Sequence, residues 1–313
     1  MNLSHAYGAA PPPDEAERVL LTALDHGIDF FDTAPLYGFG ANEELLGRVL
    51  QPHRQRFVLA SKCGIFKNAH GHRHVDGSPA TITRTCDESL RRLRTDVIDL
   101  YYLHRLDRNV PIEESVGAMA DLVRAGKVRA LGLSEMSAAT LRRAHAVHPI
   151  VAMQSEYSLW TRNPEIAVLA ACRELKVAFV AFSPLARAFL CGTLADPATE
   201  LEQGDIRRGM PRFHPGNYAQ NRELLIEYEA IANETGCTMA QLALAWLLAK
   251  DPIVVPIPGT RKPHYVVENI GAARVSLAPA ALARLDELIN ERTVVGARYN
   301  DAAQAEIDTE NFH

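Results

Sequence analysis

The sequence predicts an α/β fold closed as a (β/α)8 TIM barrel, and three observations carry that expectation. Short apolar runs alternate with longer helical patterns along the whole chain. The runs are apolar on both faces, as parallel strands covered by helices must be. Finally, Asp32, Lys62, His104, Ser134, Gln154 and Ser183 each stand at the C-terminal end of a different run. A barrel gathers those ends into one ring, whereas an open sheet spreads them along a line. No G-x-G-x-x-G follows the first run, so an open dinucleotide-binding sheet lacks its signature.

The elements follow in order. Pro13-Asp14 begins a helix with Asp14 as N-cap, Val19, Leu20, Ala23 and Leu24 at helical spacing, and Gly27 as the stop. A strand at 28–31 leads to a helix at 42–50 and a strand at 57–61 that closes at Lys62. A polar loop rich in Gly and His precedes a helix at 79–94 and a strand at 97–103 ending at His104. Residues 112–126 are the clearest helix, with Ile112, Val116, Met119 and Val123 on one face and Glu113, Glu114, Asp121 and Arg124 turned away. Strands at 128–133, 150–153 and 177–182 alternate with helices at 137–147 and 163–176. An irregular stretch, 184–218, leads to helices at 219–235 and 238–249, a last strand at 253–257, and helices near 263–272 and 279–290. The tail from 291 reads as irregular. No linker interrupts the pattern, so one domain spanning 1–313 is expected, and seven strands are legible rather than eight.

Composition narrows the function. The chain has 313 residues and a formal charge of −5, which gives no basic surface for nucleic acid. No apolar run approaches the ~20 residues that span a bilayer, and the N-terminus lacks the order of a signal peptide. Cys63, Cys86, Cys172, Cys191 and Cys237 are scattered, without a C-x-x-C pair, which argues against a disulfide framework or a zinc site. A cytoplasmic location is the expectation. The sequence leaves the oligomeric state open.

Asp32, Tyr37, Lys62 and His104 form the chemical constellation. Free tyrosine has a pKa near ~10 and is a poor acid at neutral pH. An ammonium beside it stabilises the phenolate and lowers that pKa. Lys62 supplies the charge, Asp32 holds and aims Lys62, and His104 orients a carbonyl oxygen or shares the proton. Such a group suits giving a proton to a developing alkoxide, as carbonyl reduction requires. Singly, each residue is ordinary; their shared placement at strand exits makes coincidence unattractive.

The segment Phe30-Phe31-Asp32-Thr33-Ala34-x-x-Tyr37-Gly38, followed by Asn42-Glu43-Glu44-Leu45-Leu46-Gly47, resembles the opening motif of the aldo-keto reductases. Asp99-Leu100-Tyr101-Tyr102-Leu103-His104, Gly126-Lys127-Val128-Arg129-x-Leu131-Gly132-Leu133-Ser134, Gln154-Ser155-Glu156-Tyr157-Ser158 and Ser183-Pro184-Leu185 match later motifs in order. Ile257-Pro258-Gly259-Thr260-Arg261 with Glu268-Asn269 resembles the adenine-end motif. The resemblance implies an NADPH-dependent reductase of a small-molecule aldehyde or ketone, with Tyr37 as general acid, Lys62 and Asp32 tuning it, and His104 positioning the carbonyl. It further implies that Ser134 and Gln154 hold the nicotinamide carboxamide. Ser183, Leu185 and Arg187 would lie along the pyrophosphate, Gly259, Thr260 and Arg261 near the 2′-phosphate, and Glu268 and Asn269 at the adenosine. NADP(H) is the implied cofactor; no metal, nucleic acid or membrane is expected.

Three departures from the family pattern stand out. Glu135 follows Ser134 where many members carry Asn. Tyr265 replaces a common arginine, leaving Arg261 and Lys262 to meet the 2′-phosphate. Ala188 takes the place of a usual glycine and stiffens its loop. The segment from Met1 to Gly8 resembles the loop after the family's first strand, so the expected barrel lacks the N-terminal hairpin and that strand. The expectation that follows is a chain truncated at its start and less stable than its relatives.

His70, His72 and His74 alternate in one loop, where a solvated rim is favoured over a metal site because thiols and acids at ligand spacing are wanting apart from Asp76. Trp160 and Phe213 either line the substrate pocket or pack a loop. The competing function classes are an NADPH-binding regulatory subunit with little turnover and a Schiff-base enzyme using Lys62. The complete constellation favours the reductase over the first, and borohydride trapping would reveal the second.

Overall fold

The computed structural model describes residues 1–67 and 73–312. Seven parallel strands form one curved sheet: β1 (Phe30–Asp32), β2 (Val58–Cys63), β5 (Ile98–Leu103), β6 (Val128–Ser134), β7 (Ile150–Glu156), β8 (Ala178–Phe182) and β9 (Val254–Ile257). They pair in that order, with β1 and β9 at the two ends of the sheet. Helices α1 (Pro13–Asp25), α2 (Ala41–Leu50), α3 (Pro79–Leu93), α4 (Ile112–Arg124), α5 (Ala138–Val147) and α6 (Val168–Leu175) follow the strand alternation. After the short α7 (Pro197–Glu200) come α8 (Pro215–Thr235), α9 (Met239–Lys250), α10 (Pro263–Gly271), α11 (Pro279–Leu288) and α12 (Asp301–Gln304).

Strand parity explains why polar chemistry and apolar packing coexist on the same strands. Side chains alternate between faces with period two. Ala60, Leu100, Tyr102, Ala152 and Val180 cluster together, with Phe30, Ala130 and Ile257 against them, and fill the barrel's inside. The alternate residues join a much larger core between sheet and helices. In-register pairing of Ala60 with Leu100, Lys62 with Tyr102, and Tyr102 with Gly132 keeps the inner set level around the sheet. Two residues beyond Phe30, Ala60 and Ala152 stand Asp32, Lys62 and Gln154, so the inner parity carries them to the mouth. Gly132 is needed here, because a Cβ on it would meet the Tyr102 ring at 2.5 Å.

The motif residues after β1 brace the mouth. Thr33 donates through Oγ1 to Asn42 over 2.8 Å, and Ser61 donates to Glu43 over 2.6 Å. Both Asn42 and Glu43 are buried on α2, which fastens this helix to the exits of β1 and β2. Across the ends of the sheet, α1 packs against α10, and Lys262 pairs with Glu15 at 2.8 Å.

Several expectations change. Asp14 lies in the first turn of α1, and Pro12 is the N-cap. The loop after Lys62 contains a hairpin, β3 (Ile65–Lys67) against β4 (Arg73–Val75), whose pairing its polar composition concealed. The helix expected at 163–176 is interrupted: Ala167 adopts φ −152°, so a 3-10 turn at Asn163–Glu165 precedes α6. Helix α8 begins earlier than expected, at Pro215, and the stretch from 184 contains α7 and several 3-10 turns. The tail carries α12 and packs back on the molecule: Asp308 accepts from Ser137 and Thr140 at the start of α5. No helix among the described residues is long and apolar enough to cross a membrane.

Candidate active site

At the mouth of the barrel Lys62 is fully buried, and its ammonium donates to Asp32 Oδ1 and to the Thr33 carbonyl, the latter at 2.9 Å. The second Asp32 oxygen accepts from Gln154 Nε2 at 2.8 Å. The Lys62 nitrogen sits 4.9 Å from the centre of the Tyr37 ring. Tyr37 meets His104 edge to face, with ring centres 6.1 Å apart. Asp32, Tyr37, Lys62 and His104, predicted from three separate strand exits, therefore converge.

The electrostatics correct one expectation. Burial pushes the Tyr37 phenol above its ordinary value, and the pull of Lys62 in the opposite direction only partly offsets this. Burial acts to discharge Lys62, but Asp32 and Tyr37 outweigh it and hold the ammonium above its ordinary pKa. The site thus keeps a neutral phenol beside a charged amine. That is the protonation state a proton donor needs.

A cavity of about 1380 Å³ runs from Tyr37 and His104 past Ser134, Ser183 and Leu185 to Arg261 and Asn269. It exceeds the roughly 300–1,000 Å³ of a pocket for one drug-sized ligand, and its length joins the end at Tyr37 and His104 to the end at Arg261. Gly259, Thr260 and Glu268 line the far end. There Arg261 donates through Nη1 to the carbonyls of Tyr7 and Ala9, at 2.9 and 3.0 Å. Tyr265 is exposed at the same rim.

The loop after β8 is conformationally costly. Ser183, Ala186, Arg187 and Ala188 have φ of 49°, 50°, 57° and 73°, although none is glycine. Left-handed backbone costs a residue with a Cβ about 1–2 kcal/mol, and such strain collects where ligands are clamped.

Sequence reasoning missed a buried charge network beneath this loop. Glu135 is fully buried, and its Oε1 accepts from the Glu156 backbone at 2.8 Å and from Arg298 at 2.5 Å. Glu156 Oε2 accepts from Arg187, Arg298 and Tyr299 at 3.0, 3.0 and 3.1 Å. Burial raises the Glu156 carboxyl, but Arg187, Arg298 and Arg212 outweigh it and bring its pKa to about 2. Glu135 thus departs from the expected amide because its carboxylate faces Arg298 from the tail. Arg187 likewise spends its guanidinium on Glu156, Tyr7 and Tyr299. The signal in the sequence was a pair of acids at strand ends, but its partner lies over a hundred positions away and follows no local spacing.

Trp160 stacks on Phe189 with ring centres 4.0 Å apart and meets Phe213 edge-on, so both pack a loop and neither lines the cavity. His70 and His72 lie outside the described residues, and His74 meets Phe66 edge to face. Among the described residues no cluster of metal-ligating side chains occurs.

The sequence profile of the Aldo/keto reductase family matches residues 1–290. The chain is 43% identical to the Schizosaccharomyces pombe protein named aldo-keto reductase yakc (NADP+), over 98% of this chain and 92% of that one. It is 41% identical to probable aldo-keto reductase 1 of Glycine max, over 96% and 86% of the two chains. Among solved structures, the glycerol dehydrogenase of Gluconobacter oxydans superposes with a TM-score of 0.83 at 30% identity, covering 92% of this chain and 89% of that one. A Klebsiella pneumoniae aldo/keto reductase in complex with NADP and acetate gives 0.70 at 29% identity, with the same coverage.

Proposed function

The chain belongs to the aldo/keto reductase family, and from that premise we propose that it reduces an aldehyde or ketone to the alcohol with NADPH. The observation that carries this reading is the convergence of Tyr37, Lys62, Asp32 and His104 at one end of a cavity long enough for a dinucleotide and a small substrate. When bound, NADPH supplies the hydride that the carbonyl carbon accepts. The chain's own residues handle the oxygen. His104 and the Tyr37 hydroxyl orient the carbonyl, and the phenol gives its proton to the oxygen as negative charge develops there. Lys62, held charged by Asp32, stabilises the phenolate left behind until solvent reprotonates it.

Ser134 and Gln154 stand level on adjacent strands and suit the carboxamide. Ser183, Leu185 and Arg187 follow the cavity wall, and Gly259, Thr260, Arg261, Glu268 and Asn269 form its far end, suited to the phosphates and adenosine. Arg261 provides positive charge for a 2′-phosphate, Lys262 beside it being paired with Glu15, and this favours NADPH over NADH.

The test is NADPH oxidation across a panel of aldehydes, ketones and quinones. Steady turnover of at least one class, lost in Tyr37→Phe, is the expected result. Tight NADPH binding without turnover of any of them would sink the reading and leave a regulatory role.

A further inference from the structure

Beside the proton-transfer group stands an arginine that it does not use. Arg105 follows His104, lines the catalytic end of the cavity, and is only 9% exposed. Its Nη1 donates to the His104 carbonyl at 2.6 Å and to Ser134 Oγ at 3.4 Å. Its Nε is buried without a hydrogen-bond partner, its Nη2 makes no hydrogen bond, and no carboxylate among the described residues pairs with it. Other inward-facing arginines are matched: Arg298 with Glu135, Arg187 with Glu156, Arg162 with Glu165, and Arg207 with Asp205. Arg212, which lacks a carboxylate, donates to the carbonyls of Trp160 and Gly296 and to Thr161. At the catalytic end Lys62 is neutralised by Asp32, so the charge of Arg105 stands uncompensated there.

We propose that Arg105 is the substrate-recognition residue for an anionic carbonyl compound, an aldehyde or ketone bearing a carboxylate that accepts from its Nη2. A buried cation without a partner is costly, and the structure tolerates it where a ligand completes it. The neutral carboxamide of the cofactor does not balance a charge, whereas a carboxylate does. Nη2, which makes no hydrogen bond among the described residues, can donate to a carboxylate oxygen as a charge-assisted hydrogen bond. The carboxylate source is thus the substrate itself, reduced at its carbonyl. This inference rests on the reductase reading and names its substrate class.

The test compares kcat/KM for acid and methyl ester at three spacings: pyruvate with methyl pyruvate, and 3- and 4-carboxybenzaldehyde with their methyl esters. For at least one pair the wild type should prefer the acid about 10-fold or more, the size of a charge-assisted hydrogen bond. Arg105→Gln should collapse that ratio towards one, chiefly through KM, and Arg105→Lys should restore part of it. No acid preference at any spacing, or an equal loss on acid and ester in Arg105→Gln, overturns the proposal. A second arm needs no turnover: calorimetric titration with benzoate and benzamide. Benzoate binding that Arg105→Gln abolishes supports the anion site even if no carbonyl is reduced, in which case only the reductase reading fails. Equal benzoate binding by both proteins overturns the site.

Discussion

Gln154 donates its amide N–H to Asp32 Oδ2 over 2.8 Å, while the other oxygen of the same carboxylate holds Lys62. One carboxylate therefore touches both the residue proposed to hold the cofactor amide and the lysine proposed to tune the proton donor. Because both oxygens of Asp32 are engaged, the Lys62 ammonium has a fixed direction beneath the Tyr37 ring.

Tyr37→Phe keeps the ring packing and removes the proton. Turnover is expected to fall ~10²–10⁴-fold, the usual contribution of general acid-base catalysis. NADPH affinity, measured by fluorescence titration, should change little. A variant that keeps more than half of wild-type turnover would remove Tyr37 from the mechanism.

The pH dependence follows from the direction of two shifts. Burial keeps the Tyr37 phenol protonated above its ordinary pKa, and Lys62 stays charged. The kcat for reduction should therefore be flat across neutral pH and decline only in strongly alkaline solution, as the phenol ionises. Alcohol oxidation, which needs the phenolate, should instead rise with pH. A reductive kcat that drops between about pH 7 and 8, taking ordinary Tyr at ~10 as reference, would contradict the protonation assignment.

Glu156→Gln should destabilise the fold by about 3–5 kcal/mol, since it leaves the buried Arg187 without its counter-charge. The Glu156 pKa of about 2 lies below the ~4.3 of an unfolded glutamate. Its stabilisation is thus fully present above the unfolded value and is lost as pH falls from there through the folded one. Thermal melts taken from about pH 5 down to about pH 2 should converge for wild type and variant at the acid end. Parallel curves would show that the network does not depend on this carboxylate.

Arg261→Ala should raise the apparent constant for NADPH and leave that for NADH nearly unchanged, because only the former carries the 2′-phosphate. The guanidinium also ties the carbonyls of Tyr7 and Ala9, so the melting temperature is measured alongside. Equal weakening of both cofactors moves Arg261 away from the phosphate.

Ala188→Gly should stabilise the chain by up to about 1 kcal/mol, because glycine adopts φ of +73° without the Cβ penalty. Greater unfolded-state entropy of glycine offsets part of this. An unchanged or lower melting temperature would mean that the loop is unstrained as it stands.

The sequence by itself carried the alternation of apolar runs and helices, the barrel class and the four residues proposed to transfer the proton. Those are local facts: an apolar run ends, the next polar residue of inner parity stands at its mouth, and a parallel barrel collects the ends. It also carried the motif residues Asn42 and Glu43, although not their task of bracing two strand exits. Only the tertiary structure decided the balance of burial against charge at Tyr37, because desolvation depends on everything packed around the ring. It alone joined Glu135 and Glu156 to Arg298, and it alone left Arg105 without a carboxylate. Charge pairing inside a protein is set by which side chains meet in space, and no spacing along the chain encodes a meeting between residues 135 and 298.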